Sequence, residues 1–487
     1  MTDIAFRSAT ALIAALRGRE VGSRELLEHY LRRVERYNPK INAIVTLDVE
    51  RARRQADAAD AALKREESLG PLHGLPMTIK DTLETAGIRT TAGAPIHSDH
   101  VPTQDAPAVA RLKAVGAVVF GKTNTPVFAM DAQSYNPIFG VTNNPWDLTR
   151  SPGGSSGGSA AALAAGLTGL EIGSDIGGSI RNPAHYCGVY GHKPTFEIIP
   201  LRGHIPGPPG SLTGADIAVL GPLARSAEDL SLALDILVGP DEDEALAWRL
   251  ELPPPRHSSL REYRVAAWLD DPACPVDVEV RSRHEATVEA LRKAGVRVDE
   301  YARPGFQFAD ALGTYMRLLW SATSPGVPPE SFQNFIDLTA QLPQDDKSLL
   351  ALFVHGTTQR QRDWLILNET RAQYRARWAE FFKNYDVLLC PITPTAAIPH
   401  DHSEPMSTRT IQVNGQSHPY LNVIAWAGVI GLAYLPATMA PVGLTSQRLP
   451  VGIQIVGPYL EDRTTIDFAR RLSDVIGGFT VPSGYEA

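Results

Sequence analysis

Two serines and one lysine carry the most suggestive chemistry in this sequence of 487 residues. Eight of the nine residues from 151 to 159 are Gly or Ser, the exception being Pro152, and a second small-residue turn follows at Gly177, Gly178 and Ser179. Either block alone reads as a flexible turn. Together they set Ser155 and Ser179 in backbone free of bulky neighbours, which permits close approach of chain segments. The helical run 160–165 between them lets one turn fold back over the other. Upstream, Lys80 directly follows the apolar run 75–79, at the end of an expected buried strand, where an ammonium is poorly solvated and can lose its proton. A neutral amine and two unhindered hydroxyls are the raw material of nucleophilic catalysis.

Competing motif matches fail on context. Gly116, four residues, then Gly121, Lys122 and Thr123 satisfy the phosphate-loop pattern. The four residues are Ala117, Val118, Val119 and Phe120, which read as a strand and not as loop amides cradling phosphate. Pro126 also interrupts the helix that should follow. The run from Gly153 to Gly157 fits a nucleophile elbow, but the preceding stretch 143–152 is irregular where an elbow needs a hydrophobic strand. His185, His192 and His204 invite a Ser–His pair; histidines in such turns are expected to be structural, and the lysine leaves them no necessary role. His400 and His402 have H-x-H spacing without a third ligand at a recognisable distance. No metal and no organic cofactor is expected.

Several stretches together carry a resemblance: G-G-S-S-G-G-S-A-A-A at 153–162, G-S-D-I-G-G-S-I-R at 173–181 and C-G-V-Y-G-H-K-P-T at 187–195, with G-L-P-M-T-I-K-D at 74–81, G-K-T-N at 121–124, N-P-W-D at 144–147 and P-V-G-I-Q-I-V-G at 450–457. On these the chain resembles the amidase signature family of serine hydrolases over nearly its whole length, most weakly across about 300–417. The resemblance implies a Ser, cis-Ser, Lys triad: Ser179 as nucleophile, Ser155 as bridge on a cis peptide after Gly154, and Lys80 as base. It further implies an oxyanion hole from the backbone amides of Ile176, Gly177, Gly178 and Ser179, with Asp175 and Arg181 supporting the turn; an ordinary ion pair would account for those two equally. The physics is coherent in its own right, since neutral Lys80 can take a proton from Ser155 as Ser155 takes one from Ser179.

For substrate, the resemblance points to stand-alone bacterial amidases that hydrolyse aryl amides and anilides (aryl acylamidases), with carbamates (urethanase activity) and esters alongside, by a covalent acyl-enzyme. After Asn124 come Thr125, Pro126, Val127, Phe128, Ala129 and Met130, an apolar wall where the family's glutaminase subunit usually has an acidic run. Ala129 and Met130 are the expected substrate contacts, although core packing of Val127 and Phe128 would explain the same residues. The alternative reading is that glutaminase-type subunit of a tRNA-dependent amidotransferase complex.

These residues need elements to hold them. The expectation is an α/β amidase signature fold, a large mixed β-sheet core covered by helices on both faces, forming a single domain over 1–487 with an N-terminal helical layer at 1–68 and a divergent substrate-side region at about 300–417. Strand, helix, strand texture appears at 75–79, 105–115 and 117–120, and again at 265–268, 278–291 and 296–298. Ser23 is expected to cap the first long helix, and Val49 to begin the second. The uncharged run 419–447 is broken by Pro436, Pro441 and several Gly, so buried strands and turns explain it better than a membrane span. Charged residues are 21% and hydrophobic residues 43%, values of a globular chain, and the net charge of -8 offers no basic field for nucleic acid. Three scattered cysteines and an N-terminus without a signal-peptide pattern suggest a reducing cytoplasm. The expected partner is a small-molecule amide or carbamate, without nucleic acid or membrane, for a monomer or homodimer.

Overall fold

The computed structural model of the protein describes residues 3–67, 69–205, 207–343 and 345–486. The first layer holds α1 (Ala9–Arg17), α2 (Ser23–Ile41), β1 (Ile44–Leu47) and α3 (Val49–Lys64). Next come β2 (Pro76–Lys80), α4 (Pro107–Ala114), β3 (Val118–Thr123), and the two-residue strands β4 (Tyr135–Asn136) and β5 (Gly140–Val141). The Gly/Ser blocks are framed by α5 (Gly157–Ala164), β6 (Glu171–Asp175), α6 (Arg181–Cys187), β7 (Tyr190–Lys193), β8 (Val219–Ala224) and α7 (Ala227–Leu237). Then follow β9 (Arg264–Ala267), α8 (Val278–Lys293), β10 (Arg297–Asp299), and four helices: α9 (Phe308–Thr323), α10 (Pro329–Thr339), α11 (Leu349–Thr357) and α12 (Gln361–Asn384). The chain closes with β11 (Val387–Cys390), the hairpin β12 (Thr410–Val413) and β13 (Gln416–Pro419), α13 (Ala425–Leu432), β14 (Ala437–Leu444), β15 (Pro450–Val456) and α14 (Asp462–Ile476).

Eight strands form one mixed sheet in the order β10-β9-β11-β15-β14-β7-β8-β6, parallel through the first three strands and antiparallel beyond. Successive side chains of a strand face opposite ways, and the apolar residues sort accordingly. Val387 and Leu389 of β11 join a cluster with Phe468 and Leu472 of α14, whereas Leu388 and Cys390 join another with Leu318 of α9 and Trp378 of α12. Helices therefore cover both faces, as expected.

Three strands stand apart in a second sheet, ordered β1-β3-β2, with β2 parallel to β3 and Lys80 opposite Thr123. The N-terminal layer at 1–68 thus contains a strand besides its helices, since β1 sits between two of them. Four residues are too short a run to show a period of two beside long helical repeats. The cap also differs: Gly22 precedes α2, Asp60 accepts the amides of Ser23 and Arg24 at 2.6 and 3.1 Å, and Ser23 Oγ donates to the Gly74 carbonyl at 2.6 Å.

Two further expectations change. The run 419–447 contains α13 as well as β14, and all eight residues of α13 are buried; a segment covered on every side has no amphipathic period to read. The region 300–417, whose sequence reads as one long helical stretch near 357–382 with loops rich in Pro, Gln and Asp, has α9, α10 and α11 besides α12.

Helix α5 is buried from end to end and lies against the second sheet. It fits because its first turn is glycine: a methyl on Gly158 would come within 2.6 Å of Asn124 O and 2.9 Å of Ala43 O. Backbone cannot yield as a side chain can, so Gly158→Ala should cost about 1–3 kcal/mol. A urea unfolding curve checks this, and an unchanged midpoint would show that α5 is free to shift.

Candidate active site

Lys80 is the last residue of β2 and is completely buried. Its Nζ donates to Ser155 Oγ at 2.7 Å and to Ser174 Oγ at 2.9 Å. The second contact was not anticipated, although Ser174 lies inside the 173–181 stretch. Burial pulls the Lys80 ammonium down to about 7, against the opposing fields of Asp175 and Glu171. Neither carboxylate is free to hold it charged. Glu171 accepts the Thr78 hydroxyl and is itself pushed up to about 7 by burial. Asp175 is committed to Arg181.

The serines come from the other side of the cleft. The Gly154–Ser155 peptide is cis, and Gly154 is obligatory, since a methyl there would meet Gln133 N at 2.5 Å and Asp131 O at 2.6 Å. Ser134 Oγ organises the loop, donating to the Gly153 carbonyl at 3.0 Å and accepting the Gly157 amide at 3.0 Å. The Ser156 amide then donates to the Ser179 carbonyl at 3.1 Å, so the two small-residue turns are stitched together one residue from Ser155 and at Ser179 itself. Ser179 remains slightly exposed, at 9%.

Asp175 ends β6 and closes the turn. Its carboxylate accepts the amides of Gly178 at 2.9 Å, Ile180 at 3.1 Å and Arg181 at 3.3 Å, plus Arg181 Nε at 3.0 Å and Nη2 at 2.7 Å. Burial alone would raise Asp175; Arg181 and these donors hold it at about 2. Arg181 is saturated further by the Ala427 carbonyl at 2.9 Å and Gln454 Oε1 at 2.6 Å. The pair is thus the frame of the turn and more than an ordinary surface bridge.

This frame corrects one expectation. The Gly178 amide is spent on Asp175, because Gly178, at φ 102°, turns its N–H back under the loop. The amides of Ile176, Gly177 and Ser179 make no hydrogen bond within the described residues, which reduces the expected four donors to three. Tyr315 of α9 fixes this part of the turn by donating its hydroxyl to the Ile176 carbonyl at 3.0 Å. Its ring is pressed against Gly428, where a methyl would lie 2.8 Å from Cζ. Sequence reading missed Tyr315, which sits in the divergent region outside every recognisable motif.

The remaining candidates fall into place. Lys122 of the phosphate-loop match lies in β3 and donates to the Leu83 carbonyl, Thr85 Oγ1 at 2.9 Å and Thr90 Oγ1 at 3.2 Å. His185 is held by Gly452 and Thr395 backbone, and His192 by Thr438 and Asp462. His204, its ring pushed down to about 3 by burial and by Lys80, bonds neither serine. Ala129 is half-buried and Met130 is 43% exposed, just before the segment 131–133 that packs on Gly154. No group of three or more His, Cys, Asp or Glu able to hold a metal occurs among the described residues.

The sequence profile of the family described as Amidase matches residues 25–466. The chain belongs to this family. Among its relatives, a glutamyl-tRNA(Gln) amidotransferase subunit of Bdellovibrio bacteriovorus is 32% identical over 96% of each chain. In structure it is similar to 6-aminohexanoate cyclic dimer hydrolase, with 26% identity, a TM-score of 0.77 and 99% of each chain covered. A bacterial aryl acylamidase of the amidase signature enzymes, 22% identical, shares the fold with a TM-score of 0.81 over 97% of this chain and 96% of that one. The fold is the amidase signature fold, and amidase membership makes the chain an amide C–N hydrolase. No helix among the described residues is long and apolar enough to cross a membrane.

Two outcomes follow from this geometry. A base at Lys80 works only when neutral, so kcat/KM should rise through about pH 7 and level off above it; a profile that peaks near pH 5 would exclude Lys80 as base. Tyr315→Phe removes one hydrogen bond to the turn, worth about 1 kcal/mol, and should lower kcat several-fold with KM little changed. Equal losses in melting temperature and substrate affinity without a kcat effect would mean that Tyr315 only packs.

Proposed function

We propose that this amidase works by a covalent acyl-enzyme, and the Lys80–Ser155 contact at 2.7 Å beside the Ser156–Ser179 link is the observation that carries the reading. Neutral Lys80 takes the Ser155 proton while Ser155 takes that of Ser179, whose oxygen attacks the amide carbonyl. The tetrahedral oxyanion faces the amides of Ile176, Gly177 and Ser179, each worth about 3 kcal/mol if aimed at it. The proton returns through Ser155 to the leaving nitrogen as the C–N bond breaks. Water, deprotonated by the same relay, then releases the acid and restores Ser179.

The acyl group is apolar or aryl. Ile424, Ala427, Asn182 and the Tyr315 hydroxyl surround the turn at Gly177 and Gly178, and Arg181, which is tied to that turn through Asp175, is also bonded to Ala427 and Gln454. Arg181 is therefore not free to meet a substrate carboxylate. Ala129 and Met130 extend the apolar surface, and carbamates and esters fit the same chemistry. A second reading, a glutaminase subunit of a tRNA-dependent amidotransferase complex, is supported by the 32% identity to the Bdellovibrio bacteriovorus protein over almost the entire length. The comparisons favour that second reading, and the chemistry of the wall favours the first.

Hydrolysis assays with the purified chain on a p-nitroanilide, an aliphatic amide, an aryl carbamate, a p-nitrophenyl ester and glutamine separate the two. Anilide or carbamate turnover is expected, reduced at least about a thousandfold by Ser179→Ala and by orders of magnitude in Lys80→Ala. Near-wild-type rates in either folded variant would sink the triad. Turnover of glutamine alone, or only with added partner proteins, would establish the second reading.

A further inference from the structure

A cavity of about 360 Å³ lies among α9, α11 and the segment 421–425, and none of Lys80, Ser155 or Ser179 lines it. Leu312, Met316, Leu352 and Leu367 make most of it apolar. Helix α9 serves both places: Tyr315 reaches the catalytic turn, while Leu312 and Met316 line the cavity.

Arg317 also lines the cavity, and its Nε is buried with no hydrogen-bond partner. The nearest carboxylate acting on it electrostatically, Asp363, is not within ion-pair distance among the described residues. Outside the cavity lining, Trp320 Nε1 and both side-chain polar atoms of Gln359, one donor and one acceptor, are buried and unpartnered as well. Gly356 of α11 packs directly on α9 here: a methyl at Gly356 would lie 2.8 Å from Arg317 O and 2.9 Å from Trp320 Cβ. Leaving the Arg317 Nε–H unmatched is costly, because a charged donor is lost to solvent without a partner. The missing chemistry is an acceptor.

The acidic residues around the cavity do not supply it. Asp310 is paired with Lys347 at 3.2 Å, and Asp346 accepts the Ser348 amide at 2.7 Å. Asp345 and Lys347 are exposed at the rim, where solvent and salt screen them. His355 engages the Pro343 carbonyl at 3.0 Å.

We propose that this cavity binds a small monoanion with a short apolar tail, its carboxylate seated on Arg317 and its tail along Leu312, Met316, Leu352 and Leu367. A guanidinium matches a carboxylate with two parallel hydrogen bonds, and the volume falls at the lower end of small-molecule sites, roughly 300–1,000 Å³. The site is separate from the hydrolytic reading and does not depend on it.

Isothermal titration of the full chain with octanoate tests it, with 1-octanol as the uncharged probe and inorganic phosphate as the bare anion. Octanoate should bind wild type and Ser179→Ala alike, at least about tenfold more tightly than either control probe. Arg317→Met should weaken it at least tenfold, with the far-ultraviolet circular dichroism unchanged. Leu352→Trp, which keeps Arg317 and fills the space, should also abolish binding. Absence of octanoate binding, equal affinity in Arg317→Met, octanol or phosphate binding as tightly, or survival of binding in folded Leu352→Trp would each overturn the proposal. Loss of binding in Ser179→Ala would place the anion at the reacting serine and overturn it too.

Discussion

In the proposed relay a lysine must become an uncharged amine before it can serve a serine, and burial carries Lys80 toward that state, down to about 7. Among the described residues, the hydrogen bonds of Lys80 Nζ go to two hydroxyls, those of Ser155 and Ser174. A directly bonded carboxylate would stabilise the ammonium and keep the proton in place. The two acids near enough to act are held elsewhere, Asp175 by Arg181 and Glu171 by the Thr78 hydroxyl. Much of the architecture follows from keeping that amine dry and unpaired.

The dryness comes from the meeting of two sheets. Lys80 ends a strand of the three-stranded sheet, while Asp175 ends an edge strand of the eight-stranded one. Strands β2 and β6 touch directly through Lys80–Ser174 and Thr78–Glu171, and α5, wholly buried, packs against both sheets, with Ser159 bonded to Thr123 at 2.9 Å. Close approach is possible because Gly154 and Gly158 present backbone to backbone where any side chain would collide. Separating the sheets by even a water layer would rehydrate the amine and restore its charge.

The insertion from α9 to α12 and the β12–β13 hairpin are tied back to this centre by polar anchors and not by sheet pairing. Tyr315 holds the Ile176 carbonyl, and Asp131, in the chain segment lying on Gly154, accepts Arg409 Nη1 at 2.6 Å and Tyr420 Oη at 2.5 Å. Such anchors let the wall of the site vary in sequence while the turn keeps its geometry. The fold itself is shared with relatives named for different activities at 22–32% identity.

Composition, spacing and local pattern by themselves determined the alternation of strand and helix, the small-residue turns at Ser155 and Ser179, and the lysine ending an apolar strand, because each rests on neighbours within a few residues. The G-G-S-S-G-G-S and G-S-D-I-G-G-S-I-R stretches made the triad readable on resemblance. Only tertiary structure decided that Ser174 shares the lysine, that the Gly178 amide is taken by Asp175, and that Tyr315 and Gln454 complete the turn. Those partners are 94, 3, 139 and 273 residues away in the chain, and even the nearest depends on the sign of one backbone angle. Helix α13 was hidden for the opposite reason: buried on every side, it carries no periodic contrast between wet and dry faces. Local sequence encodes which residues are able to react, whereas long-range packing sets the dielectric and the hydrogen bonds that make them do so.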